Sequence, residues 1–234
     1  AEGERADGRA GLDAAVGRER ASDAAVALER LAAAEGERVG GDIECCAGED
    51  VDRRAVGDGA ARAEGVATVK DLADFVRLKI DRVAPRVAEL VADGTLVQTT
   101  VAGWKDPAFV HRDWLAKLST GQLAKAQHTT LLSPFDPITR YRERAIRVFG
   151  FDYKIEIYTP EPKRIYGYYT LPLLHNGELV GRIDLKSERK TGQLLVQASW
   201  HEPDLKPTQV DSIAKSLAKH LDQAAKWQGL TRQL

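Results

Sequence analysis

Methionine is missing from this chain, and its two cysteines, Cys45 and Cys46, stand side by side. Neighbouring cysteines rarely close a structural disulfide, and with no histidines clustered near them they do not make a zinc site. No apolar run is long enough to cross a bilayer, and no leader-like segment opens the chain, so the reading is of a cytoplasmic protein with no membrane partner. Residues 1–66 lack far more: they contain no Phe, Trp, Tyr, Lys, Pro, Gln or Asn. Little apolar bulk is left there to offset the entropy of ordering, which predicts a low-complexity, poorly ordered segment. A loose helix over "SDAAVALERLAAAEGER", capped by Ser22, is the one regular element expected in it. So narrow an alphabet also reads like GC-rich DNA in the wrong frame. With an initial Ala and no Met, the expectation is a truncated fragment.

The net charge of −1 hides a division. Residues 1–66 hold nine Arg against 16 Asp and Glu, whereas residues 67–234 hold 25 basic and 19 acidic residues. A basic body favours a polyanionic partner. The catalytic signatures are absent as well. The histidines at 111, 128, 175, 201 and 220 show no metal-ligand spacing, and there is no nucleophile elbow, Walker loop or dinucleotide fingerprint. The sequence therefore calls for no metal and no cofactor.

What is present begins at "TVKDLADFVRLKI", where Thr68 and Asp71 form a capping-box pattern and Val69, Leu72, Phe75, Val76 and Ile80 share a helical face. "RVAPRVAELVADGTL" predicts a second helix from Val83, with Pro85 in its first turn and Asp93-Gly94 ending it. "TLVQTTV" and "AFVH", separated by Gly103–Pro107, then read as a β-hairpin. Two helices followed at once by a hairpin describe a winged helix over 67–118. In it Lys79, Arg82 and Arg86 lie at the leading end of the second helix, where a major-groove reader would stand.

Residues 119–130 read as a polar linker. An arginine-rich helix follows, with Arg140, Arg142, Arg144 and Arg147 expected on a solvated face. Next come four expected antiparallel strands: "DYKIEIY", "IYGYYTLPLL", "LVGRIDLKS" and "QLLVQASW", with His175–Glu178 and Glu188–Gly192 as tight turns. They predict a small β-barrel or curled sheet over 131–206, closed by a packing helix over 207–234. The fold class is thus α+β. Pro160-Glu161-Pro162 is expected to stiffen one tip, presenting Lys163 and Arg164, while Lys186, Arg189 and Lys190 sit at another. Tyr166, Tyr168 and Tyr169 either stack on an exposed base or belong to the sheet's own packing.

The stretches "LLSPFDP", "FGFDYKIEIYTPEPKRIYGYYTLPLL" and "GRIDLKSERKTGQLLVQASWHEP" resemble the C-terminal part of the AlkZ/YcaQ-like winged-helix DNA glycosylases, the likeness running from about Val69 to Trp227. The resemblance implies tandem winged helices and a β-barrel that cradles double-stranded, lesion-bearing DNA, acting as a monomer in base excision of alkylated or crosslinked purines. It also implies a Gln-hydrophobic-Gln or Gln-x-Asp motif in the N-terminal region, yet residues 1–66 contain no Gln. Gln209-Val210-Asp211 matches only by its letters, so no catalytic residue is assigned. The alternative is a non-enzymatic winged-helix DNA binder, such as a transcription regulator.

Overall fold

The structure, a computed structural model, describes residues 55–121 and 126–233, and the chain divides into two compact units after residue 125. The expected helix within 22–38 lies outside the described residues.

In the first unit, a π-helical stretch Ala55–Ala61 runs into α1 (Arg62–Glu64) and then β1 (Val66–Ala67). Next come α2 (Val69–Phe75), α3 (Ile80–Ala92), β2 (Leu96–Thr99), β3 (Ala108–His111) and α4 (Arg112–Ser119). The three strands pair antiparallel in the order β1-β3-β2. This corrects the expectation of poor order for residues 55–66. Val56, Ala60 and Ala61 are buried in one core with Leu72, Val83, Val87, Leu90, Leu96 and Phe109. Small side chains let the helical backbone approach its neighbours closely, so the segment needs no aromatics of its own.

The capping box forms as its residues dictate. The Thr68 amide and hydroxyl both donate to Asp71 Oδ2, at 2.7 and 2.8 Å, and the Asp71 amide donates to Thr68 Oγ1 at 3.3 Å. The second helix begins three residues before Val83, because Lys79 caps it with extended backbone and its carbonyl takes the amides of Arg82 and Val83. Pro85 therefore lies inside the helix, where its ring leaves the Asp81 carbonyl without its i+4 donor. Trp114 of α4 is buried and its Nε1 donates to the Arg62 carbonyl at 2.9 Å, tying both ends of the unit together.

The second unit is a five-stranded curled sheet with helices. Its elements are β4 (Thr129–Leu131), α5 (Pro137–Arg140), α6 (Arg142–Phe149), a 3-10 turn (Glu161–Lys163), β5 (Thr170–His175), β6 (Glu178–Glu188), β7 (Gln193–His201), α7 (Pro207–Trp227) and β8 (Thr231–Gln233). The order is β4-β5-β6-β7-β8, antiparallel except for the parallel β7–β8 pair. Register shifts at Leu173/Leu174 and Asp184/Leu185 mark bulges, which bend strands and add twist. The β5–β6 turn takes positive φ at Asn176 and Gly177, as a two-residue hairpin requires. Ile213 of α7 packs with Leu173 and Val180 of the sheet, and Leu217 lies against the same cluster.

Three expectations are corrected here. "DYKIEIY" is not a strand: Phe151 and Tyr153 are buried, but then Glu156 rather than Ile155 or Ile157 turns inward. The edge position is taken by β4, which starts in the last two residues of the stretch read as linker, and β8 adds a fifth strand after the closing helix. The arginine-rich helix is a solvated face only in part, with Arg142 exposed and Arg140 and Arg147 partly so. It breaks at Tyr141 into α5 and α6; Arg144 is buried, and Arg142 makes a two-pronged ion pair with Asp152 at 2.6 and 2.8 Å. That pairing holds the Asp152 carboxyl below its ordinary range.

Candidate nucleic-acid interface

Strand register decides which loops share an end of the sheet. Thr170, the first residue of β5, pairs with Asp184, and Glu188, the last of β6, pairs with Gln193. The loop 158–169 therefore leaves the sheet at the same end as the β6–β7 hairpin tip. At about 3.3 Å per residue, that tip stands roughly 13 Å beyond the Thr170 level. Lys163 and Arg164 lie on that loop, which folds back over Arg182 and Trp200 through Tyr166, and Lys186, Arg189 and Lys190 lie on the tip. The α7–β8 corner arrives there too: Ser187 Oγ donates to Gln228 Oε1 at 2.9 Å, and the Thr231 amide donates to the Gly192 carbonyl at 2.9 Å. Trp227, 85% exposed, stands at that corner.

Lys163, Lys186, Arg189 and Lys190 are all exposed, and Lys186 pairs with Glu188 at 3.2 Å. Such a pair between exposed groups is weak and readily exchanged for a phosphate. Arg164 is half-buried and braced: its Nε donates to the Thr159 carbonyl at 2.9 Å, and its guanidinium carbon lies 4.9 Å from the centre of the Tyr168 ring. The loop is thus not the rigid hairpin tip that Pro160-Glu161-Pro162 suggests. Pro160 and Pro162 frame a 3-10 turn in a long irregular segment that side chains hold in shape.

Chief among those is Glu156, which the sequence reading missed. Its buried carboxylate accepts the Ile165 amide through both oxygens at 3.0 Å and the Tyr166 amide at 2.7 Å. Arg182 was missed too. Its buried guanidinium lies 4.2 Å from the Tyr166 ring centre and 4.4 Å from that of Phe151. It also donates to Glu202 Oε1 at 2.9 Å and to the Asp152 carbonyl at 3.1 Å. Tyr166 packs edge-on against Trp200 with ring centres 5.4 Å apart, so it belongs to the fold rather than to the surface. Tyr153 Oη donates to the Thr170 carbonyl at 2.6 Å, and burial pushes that phenol up to about 12. Gly167, at φ +108°, lies so close to Asp184 that a Cβ would meet its Oδ2. Burial raises the Asp184 carboxyl above its ordinary value. The available signal for these residues was "GRID", where charges two apart interrupt an apolar strand.

The first unit holds the other three expected site residues. Lys79 and Arg82 are exposed at the start of α3, but Arg86 is ion-paired with Glu89, and exposed Asp81 sits between the two cations in sequence. Lys79, Arg82 and Arg86 against Asp81 and Glu89 leave this end of α3 with a net charge of only +1. Gln209 is likewise occupied: its Oε1 accepts the Lys206 amide at 3.0 Å, capping α7. That is a structural use, and it leaves Gln209-Val210-Asp211 as a coincidence of letters.

The family described as DNA glycosylase AlkZ-like matches residues 30–227, well over half of the chain. The chain belongs to that family. The match begins at residue 30, earlier than the Val69 at which the quoted stretches place it, so the AlkZ-like pattern reaches back into the alanine-rich segment. No solved structure matches the chain. Among the described residues, no helix of this AlkZ-like protein is long and apolar enough to cross a membrane.

Proposed function

We propose that this chain is the DNA-gripping part of an AlkZ-like DNA-repair glycosylase, and that the loop end of its second unit carries most of the grip. What supports this reading is that the loop bearing Lys163 and Arg164 and the hairpin tip bearing Lys186, Arg189 and Lys190 leave the curled sheet at the same end, with exposed Tyr158, Tyr168 and Trp227 on the segments beside them. Cations that meet backbone phosphates release condensed counterions on contact. Residues 126–234 carry 16 Lys and Arg against 12 Asp and Glu, so the field around that end favours an anionic partner.

The first unit fits a winged helix: helix, β1, α2, α3, β2 and β3, with strand order β1-β3-β2 and residues 100–107 as the wing. In this reading α3 orients the duplex more than it reads it, because Asp81 and Glu89 offset its cations. The glycosidic bond is cleaved in this family's chemistry by water that a carboxamide or carboxylate orients. Residues 1–66 offer no Gln for that role. The chain alone therefore binds DNA without releasing a base.

The salt dependence of duplex affinity tests the grip. Replacing Lys186, Arg189 and Lys190 together with Ala should flatten the log Kd against log salt slope by up to about 2.7, at roughly 0.9 for each phosphate no longer neutralised. Replacing Lys79 and Arg82 should change it by about 1 or less. Equal slopes for all three proteins would remove the second unit from the interface. An abasic-site assay on alkylated DNA completes the test, and base release by this chain would overturn the non-catalytic reading.

A further inference from the structure

The loop between β4 and α5 and the loop before β5 present an unusual surface for a folded unit. Tyr158 is 89% exposed, Ile165 72%, Tyr168 55% and Phe135 54%. These are not isolated residues. Phe135 and Tyr169 lie 6.5 Å apart at 56°, Tyr168 precedes Tyr169 in the chain, and Arg164 stacks over Tyr168 at 4.9 Å. Lys163 precedes Arg164, and Glu161 is the one exposed acid in the run from Tyr158 to Tyr169. Rings and cations thus alternate along one ledge.

The ledge is built in advance of any partner. Glu156 holds the Ile165 and Tyr166 amides, Arg164 joins the two arms of the loop through Thr159, and Tyr166 is fixed between Arg182 and Trp200. These braces leave the exposed faces of Tyr158 and Tyr168 to solvent.

A perfect duplex has no use for such faces, since its bases are already stacked and its phosphates need only cations. Bases out of the helix do have a use for them: every base offers a π-face, and stacking on an aromatic ring is sequence-tolerant. We infer that the Tyr158–Tyr169 loop with Phe135 is a preformed stacking ledge for unpaired nucleotides of DNA, with Tyr168 as its central ring and Lys163 and Arg164 on the adjoining phosphates. The inference rests on the DNA-gripping reading and adds to it a strand state: DNA opened where it meets the ledge.

The test compares a perfect duplex with the same duplex carrying a short central mismatch bubble, by fluorescence anisotropy on the full chain. Unmodified protein should bind the bubble more tightly. Tyr168→Ala should weaken bubble binding about tenfold, a loss within the range of one base–aromatic stack, and duplex binding by much less, since the duplex loses only the ring that braces Arg164. Tyr168→Trp should keep the affinity, and its added emission should be quenched by the bubble and not by the duplex. Equal affinity of Tyr168→Ala and unmodified protein for the bubble would overturn the ledge, as would a Tyr168→Ala loss of equal size on both DNAs. Failure of the unmodified chain to bind either DNA would overturn the gripping reading itself, and the ledge with it.

Discussion

An Arg182→Ala protein is expected to lose about 3 kcal/mol of stability, the low end of the cost of breaking a buried ion pair. The expectation takes the low end because Glu202 retains partial access to water. Three losses combine. Glu202 Oε1 and the Asp152 carbonyl each lose a charged donor, at 2.9 and 3.1 Å. The guanidinium leaves the space between Phe151 and Tyr166, forfeiting its cation–π attraction to both and opening a cavity under the rings. Arg182→Lys should not restore the whole, because a compact ammonium cannot face two rings and reach two acceptors at once. Combining Arg182→Met with Glu202→Leu should recover most of the loss, since it removes both charges and keeps the volume. Urea unfolding of the four proteins checks this, and a loss below about 1 kcal/mol for Arg182→Ala, far under the cost of breaking a buried pair, would show that the cage is incidental.

The cage also connects stability with function. Within the 158–169 loop, Tyr166 is the residue whose ring meets both Arg182 and Trp200. Weakening it should loosen the ledge before the sheet gives way, because the sheet has its own ladder and the core under α7. Arg182→Ala should therefore lose bubble affinity at temperatures where circular dichroism still reports a folded sheet.

Much of the architecture could be read from local chemistry. Thr68 with Asp71 gave a helix start to the residue, and Asn176-Gly177 gave a hairpin turn, since few other pairs accept positive φ twice in succession. The apolar face of α7 was legible through its helical period, and β6 and β7 through the tight turns that bound them. The failures have physical causes as well. The alternation of "DYKIEIY" matches a strand through Tyr153, but Glu156 captures the amides of Ile165 and Tyr166 and draws the backbone out of phase. Arg144 and Arg182 are charges inside the protein, which a reading by hydropathy places outside. β4 and β8 are three residues each, too short to show a period. Residues 55–66 join the core through Val and Ala alone, and that composition looks the same in a disordered chain. Of the candidate elements, the β6–β7 tip that carries Lys186, Arg189 and Lys190 was legible because its turn announces itself. The frame of the 158–169 loop was not, because it is made of long-range bonds between 156 and 165 or 152 and 182.

Glu156→Gln puts that frame to the sharpest test, because it changes one oxygen to an amide nitrogen and leaves the shape intact. In the native protein both carboxylate oxygens accept: one from Ile165, the other from Ile165 and Tyr166. A glutamine keeps one oxygen, which at the Oε2 position still accepts from both amides, while its NH2 takes the place of Oε1 and faces the Ile165 N–H, donor against donor. The Ile165 amide loses one of its two acceptors and gains an opposed donor, and both remaining bonds lose their charge, which together should cost about 1 kcal/mol or more. The cost falls on the loop rather than the sheet, since neither amide belongs to a ladder. Amide hydrogen exchange should show Ile165 and Tyr166 losing protection while β6 and β7 keep theirs. Bubble affinity should fall with them, because Tyr168 and Arg164 would then have to be ordered at the moment of binding. Duplex affinity should fall less, because the Lys186–Lys190 tip keeps its own frame. Full protection of both amides in Glu156→Gln would mean the loop is shaped by its prolines after all, and that Glu156 is a passenger.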